Sequence, residues 1–493
     1  MTTHTASHHL AVDLGAESGR LMLGTIADGT LALREVHRFP NTPVRAGDSL
    51  HWDVDALLAA IRTGLRHAAA LELPLASIST DSWGLDYVLF DAEGRMIPPS
   101  FHYRDPRTAQ GVERMHALVP WPEVFAETGI QFMPINTLYQ LAAEAPARLQ
   151  AARQLLPMAD AFNFLLCGEA RAEESLASTT QLYNPRTRDW STRLLRALQL
   201  PRDLFPPIVP PGTVLAPLRQ PLAQELGLPA LSVIASCSHD TGAAVAAVPA
   251  QGGDWAYLSS GTWSLLGAEL PAPLLTDACR EFNFTNEIGF GDTVRLLKNI
   301  VGLWIVQECR REWARAGQDF DYATLMRLAA EAPPFVSLIH ADDARFSAPG
   351  DMPAKIAAFC RETGQPEPAG PGATIRCVLE SLALLYARVF QNLEQLTGRK
   401  FTRLHIVGGG SQNVLLNQFT ANALGIPVLA GPVEATALGN VLVQAIALGR
   451  LPSLAAAREL VARSFPLTRY EPQDQSRWQR AANLVPHRAG PVA

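Results

Sequence analysis

Two short polar turns, each set between apolar strand-like runs, stand half a chain apart. Residues 9–13 alternate as a strand does, residues 14–20 (Leu-Gly-Ala-Glu-Ser-Gly-Arg) turn, and residues 21–26 resume as a second strand. Residues 256–267 repeat the pattern around Gly261. Setting Gly15 on Gly261 gives a spacing of 246 in a chain of 493 residues, which predicts a duplicated α/β domain with two equivalent hairpins facing one ligand. A chain of this length exceeds one hydrophobic core, and the expected division is 1–248 and 249–493. Glycine at such a tip lets a bulky group approach the backbone. Its N–H groups, the Ser18 hydroxyl and the Arg20 guanidinium suit phosphate oxygens. Asp13, at the strand end, could hold a hydrated Mg²⁺.

A second constraint lies at residues 231–248. Residues 232–235 read as a buried strand and 241–248 as a small-residue helix closed by Pro249. Between them stand Ser238, His239, Asp240 and Thr241. A carboxylate there lies at the carboxyl edge of a sheet, where open α/β folds keep ligands. Two readings stay open from these residues alone: Asp240 or Thr241 caps the helix, or Asp240 does chemistry.

Other polar stretches interrupt the apolar pattern. Residues 52–72 read as a helix with Asp53 as cap. The strand 76–80 runs into Asp81-Ser82-Trp83-Gly84-Leu85-Asp86, and 87–90 resumes as a strand. Carboxylates accept sugar hydroxyls and an indole face packs on sugar C–H groups, so Trp83 and Asp86 are candidate sugar contacts. Tyr103-Arg104-Asp105-Pro106-Arg107 is a second dense polar loop. A helix is expected from Asn136 to about residue 154, and an irregular Pro-rich crossing over 201–217. A strand over 294–297 should end at Lys298-Asn299, before a helix over 302–312. Residues 375–398 form a long amphipathic helix, and a strand over 404–407 runs into Gly408-Gly409-Gly410. That run is neither a GxGxxG fingerprint nor a Walker A loop. The tail beyond about residue 466 is polar and is expected to wrap or fray.

Composition excludes several classes. Net charge is −6 with no Lys/Arg-rich run, so no nucleic-acid or anionic-membrane surface is expected. No apolar run is long enough to span a membrane, and residues 1–9 carry no signal-peptide core. The six cysteines show no metal spacing, which fits reduced thiols in a cytoplasm.

In their order along the chain, residues 12–20, 81–86, 103–107, 129–132, 136–140, 238–241, 259–264, 298–304 and 408–413 resemble the motifs of the FGGY carbohydrate kinase family. The resemblance implies two duplicated RNase H-like domains of the actin, Hsp70 and sugar kinase superfamily, with the active site in the interdomain cleft. It implies ATP-dependent phosphorylation of a sugar, and the best-matching motif set is that of members acting on O1 of L-rhamnulose. Asp240 would be the general base; Gly84, His239, Asp240, Thr241 and Asn299 would line the sugar site. Ala16, Glu17, Ser18, Gly19, Arg20, Thr262, Gln307, Gly408 and Gly409 would hold ATP, and Asp13 would reach Mg²⁺ through water. Another ketose or polyol, such as L-fuculose, is the nearer alternative; a non-catalytic ATP-binding regulator on the same fold is the more distant one. Glu17 stands where the best-matching pattern has Ser, and a carboxylate beside a triphosphate is expected to lower ATP affinity unless it points to solvent.

Overall fold

Strand Ser7–Leu14 has no exposed residue, as a strand in the middle of a covered sheet should. It pairs antiparallel with Ser18–Ala27 and parallel with Leu75–Ser82. The full sheet runs Thr213–Pro217, Ser232–Ala235, Leu75–Ser82, Ser7–Leu14, Ser18–Ala27, Thr30–Pro40. This computed structural model describes residues 6–486; residues 1–5 of the polar start and 487–493 of the polar tail lie outside the described residues. The chain divides into two units. The first holds the residues up to Gln251, Glu269–Leu296 and Glu434–Phe465; the second holds Gly252–Ala268, Leu297–Val433 and the chain from Pro466.

In the second unit, Trp255–Ser260 pairs antiparallel with Trp263–Leu270 and parallel with Arg403–Val407. Arg403–Val407 pairs parallel with Val428–Ala430, whose other neighbour, Thr468–Tyr470, is antiparallel. Hairpin, two parallel neighbours and an antiparallel edge follow in the same order in the first unit. The duplication read from the hairpin spacing is therefore present as topology.

Side-chain alternation decides what each sheet face meets. In the first unit Leu10, Val12, Leu14 and Ile78 join one apolar cluster with Leu57, Ile61 and Leu65 of helix Val54–Ala69. Asp53 starts that helix by accepting from Ala56 N at 2.9 Å. The neighbouring register positions on Leu75–Ser82 face helix Ala435–Ala447 instead. Ser77 donates to Gln444 at 2.6 Å and Asn440 donates to Asp81 at 2.5 Å. Those two amides sit one turn apart in a helix whose other buried residues are apolar or small. Among the described residues, no helix is long and apolar enough to cross a membrane.

Three segments depart from the sequence expectation, and the tail takes the wrapped of its two expected forms. The helix foreseen over 136–154 is two short ones, Thr137–Ala142 and Pro146–Ala151, followed by strand Gln154–Pro157. Pro146 lacks an N–H and Ala145 before it is extended, which breaks the helix. The Pro-rich crossing ends in strand Thr213–Pro217 at the sheet edge, where a terminal proline is tolerated. Lys298 and Asn299 lie inside strand Val294–Val301 rather than after it. The tail supplies an edge strand and helix Gln475–Ala482, whose Trp478 is buried against Phe335 and Phe419.

Helix Asp240–Ala246 packs on helix Ala435–Ala447 at Gly439. A Cβ there would sit 1.7 Å from the Ala243 carbonyl oxygen. Helix propensity alone favours Gly439→Ala by about 1 kcal/mol. The clash with rigid backbone should reverse the sign, giving a loss of roughly 1–3 kcal/mol in chemical denaturation.

Candidate active site

In the first unit, the register of the strands brings two acidic side chains to one end of the sheet. Asp13 lies opposite Arg20 across the hairpin and beside Asp81 on the parallel strand. Arg20 donates to Asp13 Oδ2 at 2.5 Å and also pairs with Glu434. Burial raises the Asp13 pKa, and Arg20 opposes the shift. Burial also pushes Asp81 well above the carboxylate range, and the Asp13 charge adds to it. Asp81 Oδ2 accepts from Asn440, the last link of a buried series in which Ser77 donates to Gln444 and Gln444 to Asn440.

The hairpin tip is tied from outside. Gly15 N donates to Ser18 O, and the buried Asn41 reaches Gly15 O through its amide and Glu17 O through its backbone N–H. Ala16 and Ser18 are half-buried, whereas Glu17 is exposed. Gly19 serves packing: a Cβ there would meet the Phe39 ring at 2.2 Å.

The loop after Leu75–Ser82 is organised by Asp86, which is 2% exposed. Its carboxylate accepts from Trp52 Nε1 at 2.5 Å, Trp83 Nε1 at 2.9 Å, Gln140 Nε2 at 2.8 Å and Tyr103 N at 3.3 Å. Burial lifts its pKa to about 6, less than it would without those donors. Trp83 rests on Trp52 at 4.4 Å between ring centroids, with His102 stacked on the other ring at 4.2 Å. Gly84 gives close approach: a Cβ would meet Thr179 Oγ1 at 2.8 Å. Asp105 of the second polar loop is spent on Ser49, Leu50 N and Arg107 N.

Asp240 is the first residue of its helix; His239 is the N-cap position and makes no side-chain capping bond. The capping reading of Asp240 therefore does not describe the geometry. Its Oδ1 accepts from Thr241 N at 2.5 Å and Thr241 Oγ1 at 3.0 Å, and lies 3.3 Å from His239 Nε2. Among the described residues, no donor engages Oδ2. The Asp240 side chain is 31% exposed while His239 is 8% exposed, so one carboxylate oxygen is pinned and the other faces outward. A group so arranged can accept a proton from a hydroxyl.

The second unit gathers its own set. Thr262 O accepts from Gly302 N and Trp304 N, and Gln307 Nε2 donates to Thr262 Oγ1 at 3.3 Å. The glycine run lies against Ser260, next to the tip: a Cβ on Gly410 would fall 2.0 Å from Ser260 Oγ, and Gly408 has φ +84°. Gly409 differs, since a Cβ there would meet nothing within 4 Å. Asn299 is half-buried on strand Val294–Val301, three residues before the Gly302 turn.

Profiles of the FGGY carbohydrate kinase N-terminal and C-terminal domains match residues 8–247 and 256–448. The chain belongs to the FGGY family of carbohydrate kinases. It is 45% identical over 474 residues to a rhamnulokinase of Bacteroides thetaiotaomicron, covering 96% of this chain and 97% of that one. A rhamnulokinase of Enterococcus faecalis is 42% identical, covering 94% of each. Among solved structures, a ligand-bound xylulose kinase from Lactobacillus acidophilus superposes with a TM-score of 0.82 at 16% identity, over 97% of this chain and 96% of that one. Plasmodium falciparum glycerol kinase with ADP gives 0.77 at 13% identity, over 98% and 99%. At such identities these two speak to the fold of this carbohydrate kinase.

Sequence reasoning missed Asn41, Glu173, Ser175, Glu287, Arg295, Glu434, Asn440 and Gln444. Asn440 and Gln444 carried a usable signal, two amides at i,i+4 spacing in an apolar helix. The rest stand among unremarkable neighbours.

Asp86 gives a test of the buried network. A raised carboxylate pKa means the folded state holds the proton more tightly, so stability from this group falls as pH climbs from the unfolded pKa toward about 6. The unfolding free energy of the wild type, relative to Asp86→Asn, should drop by about 2 kcal/mol between pH 4 and 6. A difference that stays flat over that window would contradict the assignment.

Proposed function

We propose that the chain is a rhamnulokinase, transferring the γ-phosphoryl group of ATP to O1 of L-rhamnulose. What carries the reading is near-full-length identity of 45% to a protein of that name. The Asp240 geometry agrees with it. Phosphoryl transfer asks a protein mainly to position groups and balance charge, with one carboxylate taking the hydroxyl proton. Asp240 would take that proton on Oδ2, with Oδ1 held by Thr241. Gly84, His239, Thr241 and Asn299 would line the sugar. Trp83 would offer an apolar ring, and Asp86 would fix that ring from behind.

Ala16 to Arg20, Thr262, Gln307, Gly408 and Gly409 would hold the nucleotide. Arg20 is already paired with two carboxylates, so reaching a phosphate would mean exchanging one partner. Glu17 is exposed, and solvent screening there lessens its repulsion toward a triphosphate. Mg²⁺ is usually held by one or two carboxylates with phosphate oxygens and water. The single buried carboxylate of Asp13 fits that modest share, and the ion would offset charge on the transferred group. Six free cysteines and the use of ATP fit a cytoplasmic enzyme.

An ADP-release assay across ketoses, aldoses and polyols tests the substrate. L-rhamnulose should give the highest kcat/KM, with phosphorus NMR placing the phosphate on O1. Glycerol, xylulose or fuculose ahead by tenfold would overturn the substrate and leave the kinase. The glycine run supplies a second test. Gly409→Val fills open space at ordinary backbone angles, so its thermal stability should match the wild type while ATP binding weakens at least tenfold. Unchanged ATP affinity in that variant would remove Gly409 from the nucleotide site.

A further inference from the structure

We infer that Glu287 and Arg295 are positioning residues that act through the His239 ring to keep its Nε2–H directed at Asp240; this rests on the assignment of Asp240 as general base. Glu287 lies on strand Thr285–Ile288 and Arg295 on strand Val294–Val301, and both side chains are buried, Arg295 completely. Arg295 is anchored by Nε and Nη2 donating to Ile288 O at 3.1 and 3.0 Å. Its Nη1 lies 3.2 Å from Glu287 Oε2, and its Nη2 lies 3.2 Å from His239 Nδ1. His239 Nδ1 is also 3.3 Å from the same Glu287 oxygen, and Nε2 is 3.3 Å from Asp240 Oδ1.

The donor inventory fixes the ring. A guanidinium only donates, so toward Arg295 the Nδ1 atom must accept. The neutral ring then carries its hydrogen on Nε2, which faces Asp240. In the imidazolium, Nδ1–H turns to the Glu287 oxygen and Nε2 still carries a hydrogen. The pair thus serves both charge states, and in each the nitrogen 3.3 Å from Oδ1 carries a hydrogen. The one arrangement that would set a bare Nε2 lone pair against the carboxylate needs Nδ1–H on Glu287 in a neutral ring. Arg295 opposes it by setting its charge 3.2 Å from that oxygen and an N–H 3.2 Å from that nitrogen. With Oδ1 held by Thr241 and flanked by His239 Nε2, Oδ2 is the oxygen left to take a proton. This arrangement follows the general logic of a base oriented by a third group.

Glu287→Gln keeps the shape and removes the charge that holds Arg295. It should lower kcat by about ten- to hundredfold, the worth of one hydrogen bond to a charged group, with sugar and ATP KM within about threefold. In an Asp240→Asn background the same change should cost nothing further, since groups acting as a unit are non-additive. ¹⁵N NMR of labelled histidine should find His239 protonated on Nε2 in the wild type and shifted in Glu287→Gln. The inference is overturned by kcat within twofold of wild type, by equal loss in both backgrounds, or by a neutral His239 protonated on Nδ1. The last outcome needs only wild-type protein, so misfolding of the variant would not rescue the idea. If Asp240→Asn alone keeps kcat within threefold, the base assignment fails separately and the NMR result still decides the ring geometry.

Discussion

One backbone hydrogen bond, from Ser82 N to Ser238 O at 2.9 Å, joins the ends of two strands that arrive from distant parts of the chain. The segment before Asp240 is fixed on its other side by Glu173. That carboxylate is fully buried, accepts from Ser238 N at 2.8 Å, and binds Ser175, whose hydroxyl in turn accepts from His239 N at 3.2 Å. The backbone N–H groups of Ser238 and His239 are thus both paired before the helix begins. Losing one partner would leave a buried donor or acceptor without compensation, a cost of about 1–3 kcal/mol.

Holding those groups has a price in charge. Burial raises Asp13, Asp81, Asp86 and Asp160, and lifts Glu173 to about 7. Such shifts gather where a fold places charge for use rather than for stability. The first unit offsets part of the strain with Arg20, Asn440, two indole N–H groups and an amide. None of these is close in sequence to the carboxylate it serves except Arg20 and Trp83.

That distance explains what the sequence could and could not disclose. The hairpins at Gly15 and Gly261, the strand ends at Asp81 and Ser238, and the glycine run at 408–410 are local patterns, and each appears in the structure at the place expected. Helix 136–154 failed because a single proline outweighed a helical apolar pattern. The tail takes the wrapped of its two expected forms, because one Trp among polar residues can still seat a helix. Glu287 and Arg295 had no local signature: an acid and a base on neighbouring strands acquire meaning only when the sheet sets them beside His239. Gly19 and Gly409 look alike in the sequence, yet one yields space to Phe39 and the other faces nothing.

The proposed chemistry depends on Asp240 Oδ2, rather than Oδ1, taking the proton. A crystal structure with L-rhamnulose bound measures this directly. The sugar O1 should lie about 2.6–3.0 Å from Oδ2, the range of a hydroxyl–carboxylate hydrogen bond, while Thr241 keeps Oδ1. A sugar hydroxyl on Oδ1 with Oδ2 turned into the protein, or an O1 beyond reach of either oxygen, would contradict it.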